Sequence, residues 1–327
     1  SKSMKKKMIE ERGYPSLIPW VKEFLERLQE AGYVLAVASS SPLSYIRNVT
    51  EHWGIDRYFQ KLVSGETVKH PKPAPDVFLK TAEILGLSPE ECLVIEDSEN
   101  GCKAAKAAGM ACMAYYNPDS GKQDLSTAFA LVEGFEEVDS AFVEKIYCHF
   151  HHLPAKVCET NRLLIREMEK GDIPRMMEIC SQETSADACE GVAKPLKEEL
   201  EDFEMYRRYM YELCDMGYWC ILEKASGEII GRAGVEPKLW NDNKTVVELG
   251  YMIDEKFRRR GFAYEACRAI VEEVKKRGAF YLYCRIKSAN MPSLELARKL
   301  GFQKIDYHLE GDSEDMEVWR CACHGNH

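Results

Sequence analysis

Short apolar runs alternate with amphipathic helical patterns over residues 17–147, and this alternation limits the first part of the chain to one fold class. In the first helical pattern the apolar residues recur at helical spacing: Leu17, Trp20, Val21, Phe24, Leu25 and Leu28. Apolar runs follow at Val34–Ala38, Leu93–Ile95 and Ala111–Tyr115, with helical patterns between them. Strands that alternate with helices form parallel sheets covered on both faces. The sequence therefore predicts an α/β region built on a Rossmann-like parallel sheet.

The pattern changes after residues 148–159, a segment that contains a proline and interrupts the alternation. We interpret this segment as a linker, because domain boundaries fall in such stretches. Beyond it, strand patterns at about 163–166, 218–223, 228–235, 245–253 and 280–286 are mixed with helical patterns, which indicates an α+β domain. The predicted organisation is a first domain over residues 1–147, the linker, and a second domain over 160–327. A length of 327 residues suits two domains.

The composition argues against several classes of partner. Lys and Arg number 44 against 54 Asp and Glu, so the net charge of −10 disfavours nucleic acid and anionic membranes. No apolar stretch reaches the roughly 18 residues of a membrane-spanning helix. The 13 cysteines are odd in number and scattered, which is typical of reduced thiols in a cytoplasm. We therefore expect a cytoplasmic protein with no nucleic-acid and no membrane partner.

Polar side chains follow three predicted strands of the first domain. Ser39 comes after the run Val34–Ala38, Lys72 lies in the segment HPKPAPD, and Glu96 and Asp97 follow Leu93–Ile95. The carboxyl ends of parallel strands meet at one edge of a sheet, where ligands bind. A hydroxyl, an ammonium group and two carboxylates at that edge suit a phosphate and a Mg²⁺ ion. Each cluster alone is more typical of a helix cap or a solvated loop, but the three clusters together in this order favour a site.

The stretches LAVASSS, KPAPDVF and VIEDSENGCKAAKAAGM resemble the second, third and fourth motifs of haloacid dehalogenase-like hydrolases, in particular the β-phosphoglucomutase-like branch. The resemblance implies that Ser39 is a phosphate-binding hydroxyl and Lys72 a stabilising cation, both at a catalytic site. It also implies that Glu96 and Asp97 are the magnesium carboxylates. A phosphorylated small molecule is the substrate class that it suggests.

The same family needs a first motif, Asp-x-Asp, on a central strand that carries the nucleophile, and this chain contains no such motif. Covalent catalysis by a carboxylate requires that carboxylate, so we expect no phosphatase activity and weak Mg²⁺ binding. We also expect the strands that end at Ser39 and Ile95 not to pair with each other, because the missing strand lies between them in the family. The interpretation that follows is a C-terminal part of a longer protein, with a naturally degenerate domain as the alternative.

A strand that leads through three arginines and a glycine into a helix marks the second domain. The strand Val246–Ile253 is followed by Arg258, Arg259, Arg260, Gly261, Phe262 and Ala263. A glycine turn at a helix N-terminus presents backbone N–H groups to a pyrophosphate, and arginines supply counter-charge. Without further context, a run of arginines is equally typical of a solvated basic turn.

Arg258-x-x-Gly261-x-Ala263 matches the cofactor loop of GCN5-related N-acetyltransferases. The segments TNRLLIREMEKGDIP, VELGYMID and SANMPSLELARKLGFQKI resemble the same family, in the branch of ribosomal-protein N-terminal acetyltransferases. The resemblance implies that acetyl-CoA lies in a splay between strands 245–253 and 280–286, with pantetheine bound near the backbone of Met252, Ile253 and Asp254. Asn290 and Ser293 match cofactor-contacting positions, although Ser293 suits a helix N-cap equally well.

The catalytic groups of acetyl transfer are less sharply indicated. Glu248, on the strand that enters the loop, is the candidate general base for the amine. Ala297 stands where many family members carry a tyrosine that protonates the leaving thiolate, so Tyr251, Tyr281 and Tyr283 are the alternatives for this acid.

Three hypotheses follow from the two resemblances. The first is an acetyl-CoA-dependent N-acetyltransferase for a small-molecule or peptide amine, fused to a phosphatase-like domain without its nucleophile. The second makes the first domain a non-catalytic scaffold that binds a phosphorylated ligand and regulates the acetyltransferase. The third is a bifunctional phosphatase and acetyltransferase whose N-terminal part is absent from this sequence.

Overall fold

The structure, a computed structural model, describes residues 14–182, 194–241, 244–278 and 280–323. The chain divides into two compact units, Ser1–Leu153 and Pro154–His327. This boundary lies inside the segment 148–159 that the sequence predicts as a linker, but both ends of that segment belong to regular elements. Cys148 to Phe150 end the last helix of the first unit, and Lys156–Glu159 form a strand of the second.

The first unit alternates helices and strands as the apolar pattern predicts. The elements in chain order are α1 (Val21–Glu30), β1 (Leu35–Ser39), α2 (Leu43–Trp53), β2 (Phe59–Ser64), α3 (Asp76–Leu85), β3 (Leu93–Glu96), α4 (Glu99–Ala107), β4 (Ala111–Tyr115), β5 (Ala130–Val132) and α5 (Ser140–Phe150). The strand pairs described within this unit are all parallel. The fold class is therefore α/β with parallel sheets, as expected.

Two parallel sheets share the five strands of the described part of this unit. One contains β1 and β2, and the other has the order β3-β4-β5. β1 and β3 do not pair, which confirms the expectation that the strands ending at Ser39 and Ile95 are not hydrogen-bonded neighbours. Ile95 is 38% exposed although it lies in the middle of a strand, because one side of β3 has no strand partner within the described residues.

Small side chains on α4 allow this helix to pack closely against α3. Cys102, Ala104 and Ala105 are fully buried and pack with Val77 and Phe78 of α3. Because small residues allow close approach of a helix to its neighbours, α4 begins directly beside the end of β3.

The second unit contains the remaining elements. They are β6 (Lys156–Glu159), β7 (Leu163–Arg166), α6 (Ile173–Ser181), α7 (Leu196–Tyr206), which continues as a π-helix (Arg207–Leu213), β8 (Gly217–Glu223), β9 (Ile229–Leu239), β10 (Thr245–Ile253), α8 (Phe262–Lys276), β11 (Tyr281–Lys287), α9 (Met291–Lys299), β12 (Gln303–Ile305) and β13 (Met316–Ala322). Eight strands form one mixed sheet in the order β12-β13-β11-β10-β9-β8-β7-β6. This agrees with the predicted α+β class.

The parallel pair β10–β11 interrupts the regularity of this sheet. β9 and β10 pair along nine consecutive positions, and β11 and β13 pair along seven. By contrast, β10 and β11 meet at one position, Glu248 with Tyr283. Beyond that position no further residue pair joins the two strands, and we refer to this unpaired stretch toward the carboxyl end of β10 as the opening.

The apolar stripe of α8 covers the sheet beside this opening. Phe262, Ala266, Cys267, Ile270, Val271 and Val274 are all buried in the main core of the unit. The helix is thus fixed along its length, and its N-terminal turn is placed at the open end of β10. Across all the described ranges, no helix is both long enough and apolar enough to cross a membrane.

Candidate functional site

Lys72 joins the ends of β1 and β3 in the first unit. Its Nζ donates to the carbonyl of Ala38 at 3.2 Å and to Oε1 of Glu96. The side chains of Lys72 and Glu96 are 9% and 11% exposed, so the ion pair is largely removed from water. The centre of the Phe78 ring lies 4.3 Å from the ammonium nitrogen. The structure thus brings Lys72 and Glu96 together at the predicted sheet edge.

Both carboxylate oxygens of Glu96 have partners within the protein. Oε1 accepts from Lys72, and Oε2 accepts from the backbone N–H of Asp97 at 3.1 Å and from Ser98 N–H and Oγ at 3.2 and 2.9 Å. The carboxylate also lies against Gly101 of α4, where a Cβ would be 2.0 Å from Cδ of Glu96. Gly101 is therefore the residue that makes room for this carboxylate.

Asp97 and Ser39 lie at the same edge with separate partners. Oδ2 of Asp97 accepts from Nδ2 of Asn117 and from Oγ of Ser120, each at 2.8 Å. Oγ of Ser39 accepts from the N–H of Ser41 at 3.2 Å. Sequence reasoning missed Asn117 and Ser120, because they lie in an irregular loop outside the recognised motifs.

The donors of the first unit do not make a complete magnesium site. No group of three or more His, Cys, Asp or Glu side chains within the described ranges is placed to hold a metal ion. The oxygens of Glu96 are engaged as described, whereas Mg²⁺ requires near-octahedral oxygen coordination. The predicted pair Glu96 and Asp97 thus does not by itself fit the ion, and we derive no step through it.

The predicted cofactor loop of the second unit adopts a backbone suited to an anion. Gly261, the N-cap of α8, has φ of 82° and precedes the right-handed turn that starts at Phe262. Arg259 also has a positive φ, 59°. A left-handed residue followed by a right-handed one turns successive N–H groups into one concavity that binds anions. The first N–H groups of α8, including that of Ala263, add the positive end of the helix dipole.

The arginines of the loop differ in their contacts. Nε of Arg258 donates to the carbonyl of Ile253 at 2.8 Å, which anchors the loop to β10. Arg260 pairs with Glu223 at 3.0 Å and lies over the ring of Phe262, with its carbon Cζ 4.9 Å from the ring centre. Arg259 is exposed at the tip of the turn.

Arg162, which sequence reasoning missed, supports the loop from the turn between β6 and β7. Its guanidinium donates to the carbonyl of Arg260 at 3.2 Å and to Glu265 at 2.7 Å. Burial alone would raise the pKa of Glu265, but bonds from Thr160 and Arg162 hold it below the usual value. These residues line a cavity of about 450 Å³ together with Gly261 and Arg268. An exposed arginine in a hairpin carries no sequence signal for this role.

Strand alternation decides which backbone groups of β10 face the opening. The N–H of Asp254 donates to the carbonyl of Ile230 in the neighbouring β9 segment at 2.8 Å. Because the orientation of backbone groups alternates along a strand, Met252 also faces β9, while Tyr251 and Ile253 face the diverging β11. The expectation that the whole stretch Met252–Asp254 meets pantetheine is therefore too broad. The register directs the groups of Met252 and Asp254 away from the opening.

The side chain of Asp254 has a structural role. It is fully buried, pairs with Arg175 of α6, and accepts from the N–H of Lys256 at 3.0 Å. Burial alone would raise its pKa, but the bonds from the Lys256 amide and from Arg175 bring it below the usual value. The carboxylate therefore fixes the turn that leads from β10 to the arginine loop.

Glu248 lies at the position where β10 and β11 separate. Its side chain is 11% exposed. It accepts from Nε1 of Trp240 at 2.9 Å and from Nε of Arg285 at 3.1 Å. Arg285 in turn donates to Asp312 at 2.9 Å, so the candidate base is part of a buried charged chain that crosses two strands and a loop. No local sequence pattern indicates that Trp240 and Asp312 join Glu248.

Asn290 and Ser293, which were predicted to contact the cofactor, have different partners in the structure. Asn290, rather than Ser293, is the N-cap, because its Oδ1 accepts from the N–H of Ser293 at 3.2 Å. Oγ of Ser293 lies 2.9 Å from the hydroxyl of Tyr251. Among the other acid candidates, Tyr283 is buried against Trp240 and Tyr281 is 45% exposed beneath Arg320. Tyr251 is thus the candidate whose backbone faces the opening.

Comparison with known proteins supports both resemblances. Residues 2–115 match the family of haloacid dehalogenase-like hydrolases, and residues 162–303 match the acetyltransferase (GNAT) domain. Fructose-1-phosphate phosphatase from Escherichia coli is 42% identical over 76 residues, which cover 23% of this chain and 40% of that protein. The chain therefore spans less than half the length of this curated relative.

Two solved structures are similar to parts of the chain. An acetyltransferase from Agrobacterium tumefaciens has a TM-score of 0.42 and 20% identity, covering 50% of this chain and 92% of its own. A β-phosphoglucomutase from Clostridium difficile has a TM-score of 0.39 and 22% identity, covering 46% and 63%. The first unit is thus similar in sequence to haloacid dehalogenase-like hydrolases, and the second unit matches the model of the GNAT acetyltransferase domain.

Proposed function

We propose that the second unit transfers the acetyl group of acetyl-CoA to a primary amine. The observation that carries this proposal is the opening of the sheet after the pair Glu248–Tyr283, together with the left-handed Gly261 turn at the start of α8, the helix that follows β10. One elongated ligand with amide groups and a pyrophosphate would match both features. The acetyltransferase family match over residues 162–303 supports the same ligand.

The residues present fit acetyl-CoA. The N–H groups at Gly261, Phe262 and Ala263 would hold the pyrophosphate, and Arg259 at the tip of the turn would supply counter-charge. Arg258 and Arg260 keep this turn in place through Ile253 and Glu223. When bound, acetyl-CoA supplies an activated thioester at the opening.

Acetyl transfer also needs a neutral amine and a proton for the leaving sulfur. We assign the first task to Glu248, which Trp240 and Arg285 fix at the inner end of the opening, and which takes the amine proton directly or through water. The second task falls to Tyr251, whose hydroxyl is held by Ser293. A C–N bond forms, the C–S bond breaks, the amine proton passes to Glu248, and the thiolate receives the tyrosine proton, which solvent restores.

Calorimetric titration of the full chain with acetyl-CoA tests the proposal. Wild type should bind, and Gly261→Val should abolish binding, because a β-branched residue cannot adopt φ of 82° without strain and would close the concavity. Gly278→Val is the matched control: Gly278 has φ of 84° just beyond the other end of α8, and an added Cβ there would have no atom within 4 Å. It should lower stability and spare binding. A folded wild type that does not bind acetyl-CoA contradicts the proposal.

Glu248→Gln tests the assigned base. Glutamine keeps the size and can still bond to Arg285, so acetyl-CoA affinity should not change. The rate with primary amines should fall by about 10²-fold or more, because the proton acceptor is lost. The loss should be largest at pH values below the pKa of the amine. A variant that matches the wild-type rate across this pH range would remove Glu248 from the mechanism.

A second candidate function is binding of a phosphorylated ligand by the first unit. Lys72, fixed between the ends of β1 and β3, supports it. We expect this chain not to hydrolyse fructose 1-phosphate, the substrate named for the relative from Escherichia coli, because Glu96 and Asp97 are held by protein donors. Phosphate release that Asp97→Asn abolishes would instead favour the bifunctional hypothesis.

A further inference from the structure

Tyr218 of β8 reaches across two glycines to the open part of β10. Tyr218 pairs with Gly234 of β9, and Gly234 pairs with Gly250 of β10, so the three positions form one row on one face of the sheet. A Cβ on Gly250 would lie 2.3 Å from the hydroxyl oxygen of Tyr218 and 2.8 Å from its Cε1. The phenol therefore rests directly on the backbone of Gly250, in space that any side chain at position 250 would fill.

The position of Gly250 on β10 places this contact beside the opening. Gly250 follows Glu248 by two residues and so lies in the part of β10 that has separated from β11. Residues two apart on a strand share a face, so the Tyr218 hydroxyl and the Glu248 carboxylate lie on the same side of the opening. Tyr251 projects from the opposite side, toward Ser293.

The Tyr218 ring is held by its surroundings. Cζ of Arg232 lies 4.7 Å from the ring centre, and the backbone N–H of Tyr218 donates to the hydroxyl of Tyr206 at 2.6 Å. Tyr206 in turn donates to Glu236 at 2.7 Å. Glu236 pairs with Glu248 across the strands, so two carboxylates occupy this face next to the phenol. Each carboxylate is paired with a cation, Glu236 with Lys238 at 3.2 Å and Glu248 with Arg285 at 3.1 Å, so this face is polar and its charges are matched.

We propose that the Tyr218 hydroxyl binds the acceptor nitrogen during acetyl transfer, and that the acceptor enters from the face of the sheet that carries Tyr218 and Glu248. This inference rests on the proposed function. A pantetheine arm bonded to the backbone of Tyr251 places its thioester beside Leu249 and Gly250, one or two residues and so about 3–7 Å farther along the strand. The phenol oxygen accepts one amine N–H and thereby directs the nitrogen lone pair at the thioester carbonyl. Tyr218 is then a catalytic residue in contact with substrate.

A conjugate of CoA and n-butylamine, joined through S–CH₂–CO–NH, is the probe. Calorimetry on the full chain compares its affinity with those of acetyl-CoA and CoA in wild type, Tyr218→Phe, Gly250→Ala and the control Tyr281→Phe. Wild type should bind the conjugate more tightly than CoA. Tyr218→Phe should lower conjugate affinity about five- to tenfold, the value of one hydrogen bond, and leave acetyl-CoA affinity unchanged. Gly250→Ala should do the same, because its Cβ displaces an intact phenol.

The outcomes separate the two proposals. Unchanged conjugate affinity in Tyr218→Phe, or a wild type that does not prefer the conjugate to CoA, overturns the role of Tyr218 and leaves the acetyl-CoA site standing. A folded wild type that does not bind acetyl-CoA rejects the proposed function, and the role of Tyr218 with it. Equal losses in Tyr218→Phe and Tyr281→Phe would also overturn the assignment, since Tyr281 lies beneath Arg320, on the β11 side.

Discussion

Individual glycines set the geometry of both units at the points where polar groups meet. Gly101 admits the Glu96 carboxylate, and Gly250 admits the Tyr218 phenol, each at a distance that a methyl group would occupy. In both cases the polar group lies directly against the backbone of the glycine. A glycine at such a position is required by its neighbour, and the requirement is invisible until the neighbour is known.

Gly101→Ala should destabilise the first unit although alanine is the better helix former. The added Cβ would lie 2.0 Å from Cδ of Glu96, so the carboxylate must leave its bonds to Lys72 and Ser98. We expect a net loss of about 1–2 kcal/mol in the free energy of unfolding, measured by urea denaturation. Gly134→Ala, where no atom lies within 4 Å, is the control. Equal stability of the two variants would show that Glu96 relaxes freely.

Asp254→Asn should destabilise the second unit in a way that depends on pH. The pKa of Asp254 is lower in the folded state than its usual value, so its stabilising contribution is complete above about pH 4 and is lost as pH falls through the lower folded value. At pH 7 the variant should lose about 1–3 kcal/mol, because Arg175 loses its charged partner. Denaturation curves from pH 7 to pH 3 should converge for the two proteins. A constant difference over this range would contradict the ion-pair account.

At the scale of elements, sequence patterns predict most strands and helices and the site glycine, but not the pairings around them. The apolar stripe of α8 predicts its buried face, and the arginine–glycine turn predicts the helix N-terminus at Gly261. The pattern of β10 could not reveal that the N–H of Asp254 donates to the carbonyl of Ile230, so it could not separate Met252 and Asp254, whose backbone groups face β9, from Ile253, which faces the opening. A contact such as the one between Trp240 and Glu248 forms only when the elements of the sheet pack together. The spacing of residues along a single element does not reveal it.

The split of the first sheet should be measurable by hydrogen exchange. β4 pairs on both sides and all five of its residues are buried, whereas β1 and β3 each pair on one side within the described residues. We expect the amides of Ala111–Tyr115 to exchange much more slowly than those of β1 and β3. Peptide-level mass spectrometry gives the comparison. Equal protection of β1, β3 and β4 would indicate that the two edges are covered.

At the scale of the whole molecule, the two compact units match two different protein families. The cofactor loop, the opening and the acceptor face all lie within Pro154–His327, and the Lys72 ion pair lies within Ser1–Leu153. The two families are recognisable from sequence because each unit contains its own motifs. The amine acceptor is not, because the face that would receive it combines β8, β9 and β10.

Acetyl-CoA should therefore stabilise one part of the molecule. Ligand binding raises stability by mass action only where the folded site exists. At about 100 times the Kd, the second unit should gain about 2.7 kcal/mol. Calorimetric scanning measures the Tm values, and hydrogen exchange of individual peptides shows which part of the chain unfolds in each transition. The higher Tm should belong to residues after Pro154. A shift of both units by the same amount would show that they unfold as one.

The opening between β10 and β11 has a consequence for how this domain tolerates change. The groups that would grip the cofactor there are peptide amides and carbonyls, which nearly every amino acid supplies alike. Substitutions along the strand can therefore change the side chains that line the cleft without removing the backbone groups that would bind the cofactor, provided that the register with β9 holds. Substitutions around Tyr218 and Glu236 can therefore change the acceptor side of the cleft, while the side that would bind acetyl-CoA keeps its function. Because main-chain groups would hold the cofactor, cofactor binding can stay the same while substitutions change the preference for the acceptor substrate.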